Sequence, residues 1–180
     1  MKPRALRILM IVLLIAANIG CDQVSKSLAR ERIDSRERIE VIGNNLILTK
    51  VENTGAFLGM WSDLPVWLKN ILLLGLPALV MVGLFVFLLR KDNLSRTTVV
   101  ALTFIVGGGI GNLYDRILYG SVTDFLYMDF EIFHTGIFNM ADVSVMVGTG
   151  LILVESFFGK KSKKEKPAEA TENTENASGA

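Results

Sequence analysis

The sequence predicts an all-α membrane protein of four transmembrane helices with a small β element. Three observations carry that fold class. Four stretches are long and apolar enough to cross a hydrocarbon core of ~30 Å, which takes about 20 helical residues. The 180 residues are 51% hydrophobic with mean hydropathy +0.43, the composition of one compact membrane domain. Three clusters of lysine and arginine also fall on one side of a four-span layout, as orientation by loop charge requires.

The first span covers about Leu6–Leu28, behind Lys2, Arg4 and Arg7. A basic start and an apolar run ending at Gly20-Cys21 also mimic a cleavable leader with a lipoprotein cleavage box. Asn18 stands three before Cys21, where that box carries a large aliphatic residue, and three more spans follow; the segment is read as a retained anchor. Next, Arg38–Ile42 and Leu46–Val51 read as short strands about the turn Gly43-Asn44-Asn45. They form a small extracytoplasmic sheet between helices 1 and 2, within residues 29–63. The second span is Leu64–Leu89 and the third Thr97–Tyr119. Val122–Phe133 is aromatic and acidic, suited to headgroup depth, with Gly136 as a turn. The fourth span is Phe138–Phe158. Residues 1–159 thus form one membrane domain. The tail 160–180, charged and then rich in Ala, Glu, Thr and Asn, reads as disordered and cytoplasmic.

Orientation rests on Lys2, Arg4 and Arg7, on Arg90, Lys91 and Arg96, and on Lys160, Lys161, Lys163, Lys164 and Lys166. With four spans all three clusters share the cytoplasmic side, and so do both termini. One segment pulls the other way. After span one come Arg30, Arg32, Arg36, Arg38 and Lys50, interleaved with Glu31, Asp34, Glu37, Glu40 and Glu52. Acids do not cancel bases under this rule, so the tension is real.

Composition removes several chemistries. A net charge of +1 gives no basic face for nucleic acid. The single Cys21 excludes an internal disulfide framework and a cysteine-cluster metal site; it is expected to be a small buried hydrophobe. The single His134 excludes a His-Glu-x-x-His zinc site and is expected at the surface of an outer loop. Ser144 has no histidine in its span or the preceding one to activate it. No metal or other cofactor is called for.

The polar residues of the spans gather at one depth. Asp22 falls near the outer end of span one, and Asn112, Asp115 and Arg116 in the outer part of span three. Asp124 follows that span, and Asn139 and Asp142 open the fourth. Asp142 lies only about 6 Å past Phe138 at 1.5 Å per residue. Asn112, Asp115 and Arg116, spaced three and four apart, share a helical face. Gly107 and Gly111 permit close approach of another helix. Asp115 and Arg116 suit either interhelical charge neutralisation or site chemistry. A carboxylate inside a span is expensive and points to function. Two that share a site do not both ionise easily, so one keeps its proton while the other acts as base. Asp124 and Asp142 are therefore read as an aspartic pair that activates water.

Five boxes, in order, resemble the lipoprotein signal peptidase (signal peptidase II) family: Asp22-Gln23-Val24-Ser25-Lys26, Asn53-Thr54-Gly55-Ala56-Phe57, the run from Gly107 to Arg116 containing Asn112-Leu113-Tyr114-Asp115-Arg116, Val122-Thr123-Asp124-Phe125, and Phe138-Asn139-Met140-Ala141-Asp142. The resemblance covers about residues 8–158. It implies that Asp124 and Asp142 are the catalytic dyad of a bacterial inner-membrane enzyme. It also implies that Asp22, Lys26, Asn53, Gly55, Asn112, Arg116 and Asn139 support the site or hold substrate, and Asp115 is grouped with them. Two departures show: Phe57 follows Ala56 directly, and Tyr127 stands where a second acid often follows the Asp-Phe pair. The implied substrates are diacylglyceryl-modified prolipoproteins, cut on the amino side of the lipidated cysteine by a monomer near the outer leaflet.

Two other classes compete. A proton-coupled carrier would spread its acids across the membrane depth, whereas here they cluster. An assembly protein using Asp115 and Arg116 as helix contacts gives Asp124 and Asp142 no task.

Overall fold

The computed structural model describes residues 3–35, 37–55, 63–130 and 132–158. The Ala56-Phe57 end of the second box and the tail from Lys160 lie outside them. The described elements are α1 (Pro3–Arg32), β1 (Ile39–Ile42), β2 (Leu46–Asn53), α2 (Val66–Lys69), a π-helical stretch (Asn70–Gly75), α3 (Leu76–Arg90), α4 (Arg96–Tyr119), β3 (Val122–Met128) and α5 (Met140–Phe158). Four helical segments, Arg4–Arg32, Val66–Arg90, Arg96–Tyr119 and Met140–Phe158, are long and apolar enough to cross a membrane. The second includes α2, the π stretch and α3.

α4 is the inner helix. In its most apolar window 44% is buried, against 11–17% for the other three spans. Small residues explain why, since helices in lipid associate by close van der Waals packing. A Cβ on Gly107 would sit 2.6 Å from Asn18 Cβ, and one on Gly111 would sit 2.5 Å from Asp22 Oδ2. Gly108 faces the Ala141 carbonyl and Ser144 of α5 in the same way. Away from the polar end, Ile11, Ile15, Leu88, Leu102 and Val106 form the apolar core.

α4 starts on Ser95, whose hydroxyl accepts from Thr98 N at 2.9 Å, a helix N-cap. It ends on Gly120, left-handed at φ 71°. The glycine turns the chain directly into β3.

The sheet contains both expected strands and adds a third. It is three-stranded and antiparallel in the order β1-β2-β3, so its third strand comes from beyond α4 rather than from the segment between helices 1 and 2. Val122–Phe133 was expected as an aromatic interfacial segment; its first seven residues are β3 instead. The reason is burial: Val122, Thr123, Asp124 and Phe125 are all buried, and Phe125 packs with Ala29 of α1 and with Ile33 just beyond it. Gly136, expected as a turn, stands in none; just before it, Asp129 and His134 bridge antiparallel.

α1 extends a turn past the expected Leu28, through the good helix formers Ala29 to Arg32. Cys21 is exposed, not buried. It precedes Asp22 by one residue, and about 100° of helical rotation turns it away from the face that Asp22 buries. His134 is exposed as expected, beside Tyr127 with ring centroids 6.3 Å apart.

Candidate active site

Asn139 is the N-cap of α5, and Asp142 is its third helical residue. Asn139 Oδ1 accepts from Asp142 N (3.0 Å), and Asp142 Oδ2 accepts from Asn139 N (3.1 Å). This reciprocal pair is a capping box built from Asn and Asp. The intervening Ala141 N donates to Asp22 Oδ1 of α1 (2.9 Å). Otherwise orphaned donors at the helix start are therefore consumed by site side chains.

The same Asn139 reaches the other carboxylate. Its Nδ2 donates to Asp124 Oδ1 at 2.6 Å, and Asn53 Nδ2 donates to Asp124 Oδ2 at 3.0 Å. Asn112 Nδ2 of α4 donates to Asp142 Oδ1 at 2.8 Å. All four oxygens of Asp124 and Asp142 thus accept from neutral amide N–H groups. Asn139 hydrogen-bonds both acids. Asp124 is 4% exposed, while Asp142 is half-buried. Burial is the main cause that raises the Asp124 carboxyl from its ordinary 3.8 to about 6; the negative Asp142 adds to it, against Asn53, Asn139 and Lys26.

Beneath the pair lies a buried charge cluster. Asp22, Lys26 and Asp115 are fully buried. Lys26 Nζ lies 2.8 Å from Asp22 Oδ2 and 3.4 Å from Asp115 Oδ2, and it donates to Asn112 Oδ1 at 2.9 Å. Arg30 Nη2 lies 2.8 Å from Asp115 Oδ2. Two acids and two bases sum to zero. That balance matters because an uncompensated buried charge costs several kcal/mol. Lys26 also orients the Asn112 amide: with Oδ1 occupied by the ammonium and by Asn139 Nδ2 (3.1 Å), Nδ2 is left to face Asp142.

Asp115 and Arg116 do different work, although sequence spacing grouped them. Asp115 Oδ2 accepts from Thr123 N at 3.1 Å and so ties the start of β3 to α4. Arg116 donates to Asn112 O (3.3 Å) and to Gly55 O (3.1 Å). Gly55 N in turn donates to Asn53 Oδ1 (3.0 Å), so Arg116 braces the turn that aims Asn53 at Asp124. All ten residues singled out in the sequence belong to this one connected cluster.

Sequence reading missed five further members. Gln23 Nε2 lies within 3.0–3.2 Å of Asp22 Oδ2, Asp115 Oδ1 and Gly111 O. Arg30, Glu52, Ser121 and Thr123 form a group beside Asp124. Arg30 carried a usable signal: it follows Asp22 and Lys26 at i+8 and i+4, on one helical face.

Comparison with known proteins places the chain among relatives. The family model described as Signal peptidase (SPase) II matches residues 14–158. A lipoprotein signal peptidase of Brevibacillus brevis is 33% identical over 152 residues, covering 84% of this chain and 97% of that protein. One of Sulfurihydrogenibium sp. is 37% identical over 149 residues, covering 81% and 89%. A solved structure described as a bacterial membrane enzyme, by the in meso method at 2.3 Å, superposes with TM-score 0.78 at 27% identity. It covers 89% of this chain and 94% of that one. A second, at 1.9 Å, gives TM-score 0.70 at 25% identity over 83% and 93%.

Proposed function

The chain belongs to the signal peptidase II family, and from that premise we propose that Asp124 and Asp142 are its catalytic dyad. It is a multi-pass membrane protease of the aspartic class that acts in lipoprotein maturation. The observation that carries the dyad reading is Asn139, one residue hydrogen-bonded to both carboxyl groups. Its backbone N–H serves Asp142 and its Nδ2 serves Asp124, so one residue holds the two carboxyl groups side by side.

In this reading the buried Asp124 acts as the acid and Asp142, in the first turn of α5, as the base. Asp142 takes a proton from water as its oxygen bonds the scissile carbonyl carbon. Asp124 gives its proton to the carbonyl oxygen, forming a neutral tetrahedral diol. Collapse returns a hydroxyl proton to Asp124 while Asp142 protonates the departing amine and the C–N bond breaks. The amide donors keep both carboxyl groups in place through this exchange.

The substrate of this reading is a diacylglyceryl-modified prolipoprotein, cut on the amino side of the lipidated cysteine by a single chain. Its acyl chains would lie among membrane lipid, at about 0.8 kcal/mol per buried methylene. The charge clusters support cytoplasmic termini in a bacterial inner membrane, with the dyad toward the outer leaflet. Residues 1–159 serve as the peptidase domain, and 160–180 as its cytoplasmic tail.

The test is cleavage of one purified lipidated precursor, with products identified by mass. Asp124→Asn and Asp142→Asn should each bind precursor and leave it intact, and the double variant should be hardly worse, since groups acting as a unit are non-additive. Near-normal cleavage by either single variant would end the aspartic reading.

A further inference from the structure

Arg30 is one of the cations that the charge rule does not absorb: it lies on the side where arginine is disfavoured, at the end of a membrane span. Its side chain is not spread into solvent. Nε donates to Thr123 Oγ1 at 2.8 Å, and Nη2 lies 2.8 Å from Asp115 Oδ2. The guanidinium carbon sits 4.1 Å from the centre of the Tyr119 ring. One face is stacked, Nε is hydrogen-bonded, and Nη2 is held by charge beside Asp115 without a hydrogen bond of its own.

Two of these contacts converge on Thr123, one directly and one through Asp115 Oδ2. Thr123 is fully buried and immediately precedes Asp124. Its Oγ1 receives Arg30 Nε and donates to Glu52 Oε1 at 2.9 Å; its N–H donates to Asp115 Oδ2, the oxygen that Arg30 approaches. Glu52 is the cross-strand partner of Thr123 and also accepts from Ser121 Oγ at 2.7 Å. Lys50 Nζ donates to Arg30 O at 3.1 Å, tying β2 to the end of α1. Backbone and side chain of Thr123 are thus held on both sides, one residue before the carboxyl group.

We propose that Arg30 is a positioning residue for the reaction: with Glu52 it clasps Thr123 and so sets where the Asp124 carboxyl group points. The inference rests on the dyad reading and extends it to a residue that does not touch substrate. It also explains the cation's place. Arg30 belongs to the site's charge balance and is not a topological signal.

The experiment measures kcat and KM for one lipidated precursor, per folded molecule, in Arg30→Met, Thr123→Val, Thr123→Ser and the Arg30→Met/Thr123→Val double variant. A carboxyl group displaced by a fraction of an ångström should lower kcat by on the order of tenfold. KM should stay within about twofold, as substrate contacts are untouched. Thr123→Ser, which keeps the hydroxyl, should restore the parent kcat. The double variant should be no slower than the slower single one. Parent kcat in either Arg30→Met or Thr123→Val, or a loss confined to KM, overturns the proposal. Should Arg30→Met fail to insert, the contrast between Thr123→Val and Thr123→Ser decides alone. Asp124→Asn in the same assay separates the two readings: its normal turnover defeats the dyad, whereas an inert Asp124→Asn beside a fully active Arg30→Met defeats only the clasp.

Discussion

Asn139 and Asp142 cap one another across the first turn of α5, each accepting the other's backbone N–H at 3.0–3.1 Å. The contact that starts the helix is therefore also the contact that orients one acid, while Asn139 Nδ2 orients the other. Cap and dyad support separate under substitution. Asn139→Ala should cost about 1 kcal/mol as a lost N-cap and about a hundredfold in kcat as Asp124 loses its Nδ2 donor, the backbone N–H to Asp142 remaining. Asn139→Ser keeps a capping oxygen but cannot reach Asp124. It should regain the thermal midpoint and remain slow. Recovery of turnover with the midpoint would reduce Asn139 to a cap.

How far this was legible depends on the kind of interaction. Spans and the membership of the polar cluster could be read from apolar length and from the depth at which Asp22, Asn112, Asp124 and Asp142 fall. β3 could not. Its alternation is weak, because Val122 to Phe125 are buried on both faces, and its partner β2 lies some 70 residues away, beyond any local pattern. For the same reason Glu52 and Thr123 carried no signal, since only the β2–β3 register brings them opposite one another. Asp115 and Arg116 are adjacent in sequence yet project to different neighbours, one to β3 and one to the Gly55 turn. Adjacency on a helix says little about partnership.

The raised Asp124 carboxyl makes stability pH-dependent in a definite direction. An acid whose folded value, about 6, lies above its ordinary 3.8 binds protons more tightly when folded. Folding is then favoured below about 4, and that advantage is lost as pH rises to about 6, an amount on the order of 3 kcal/mol. Asp124→Asn cannot ionise. Its thermal midpoint relative to the parent should therefore climb between pH 4 and pH 6 and level off above. A difference that stays flat across this window would mean that burial does not raise Asp124.

Orientation makes a separate prediction. Reporter fusions after Arg90 and Lys166 should read as cytoplasmic, and fusions at Gly43 and Phe130 as external. Because Arg30 is consumed by Asp115 and Thr123, Arg30→Gln should leave all four readings unchanged. A cytoplasmic signal at Gly43 would move the dyad to the wrong leaflet.

The buried charge cluster gives the sharpest test of structure against chemistry. Lys26 bridges Asp22 and Asp115 with no exposure to solvent. Lys26→Met fits the apolar stem but leaves one negative charge uncompensated among Asp22, Asp115 and Arg30. Breaking a buried pair from one side costs about 3–5 kcal/mol, so the thermal midpoint in detergent should drop sharply. Adding Asp22→Asn restores neutrality, and its Oδ1 can still accept from Ala141 N, the contact that docks α5 on α1. The double variant should be more stable than Lys26→Met alone. Activity should not follow, because Asn112 Oδ1 has lost the ammonium that turns its Nδ2 toward Asp142. A double variant no more stable than the single one would show that packing, rather than charge balance, makes Lys26 necessary.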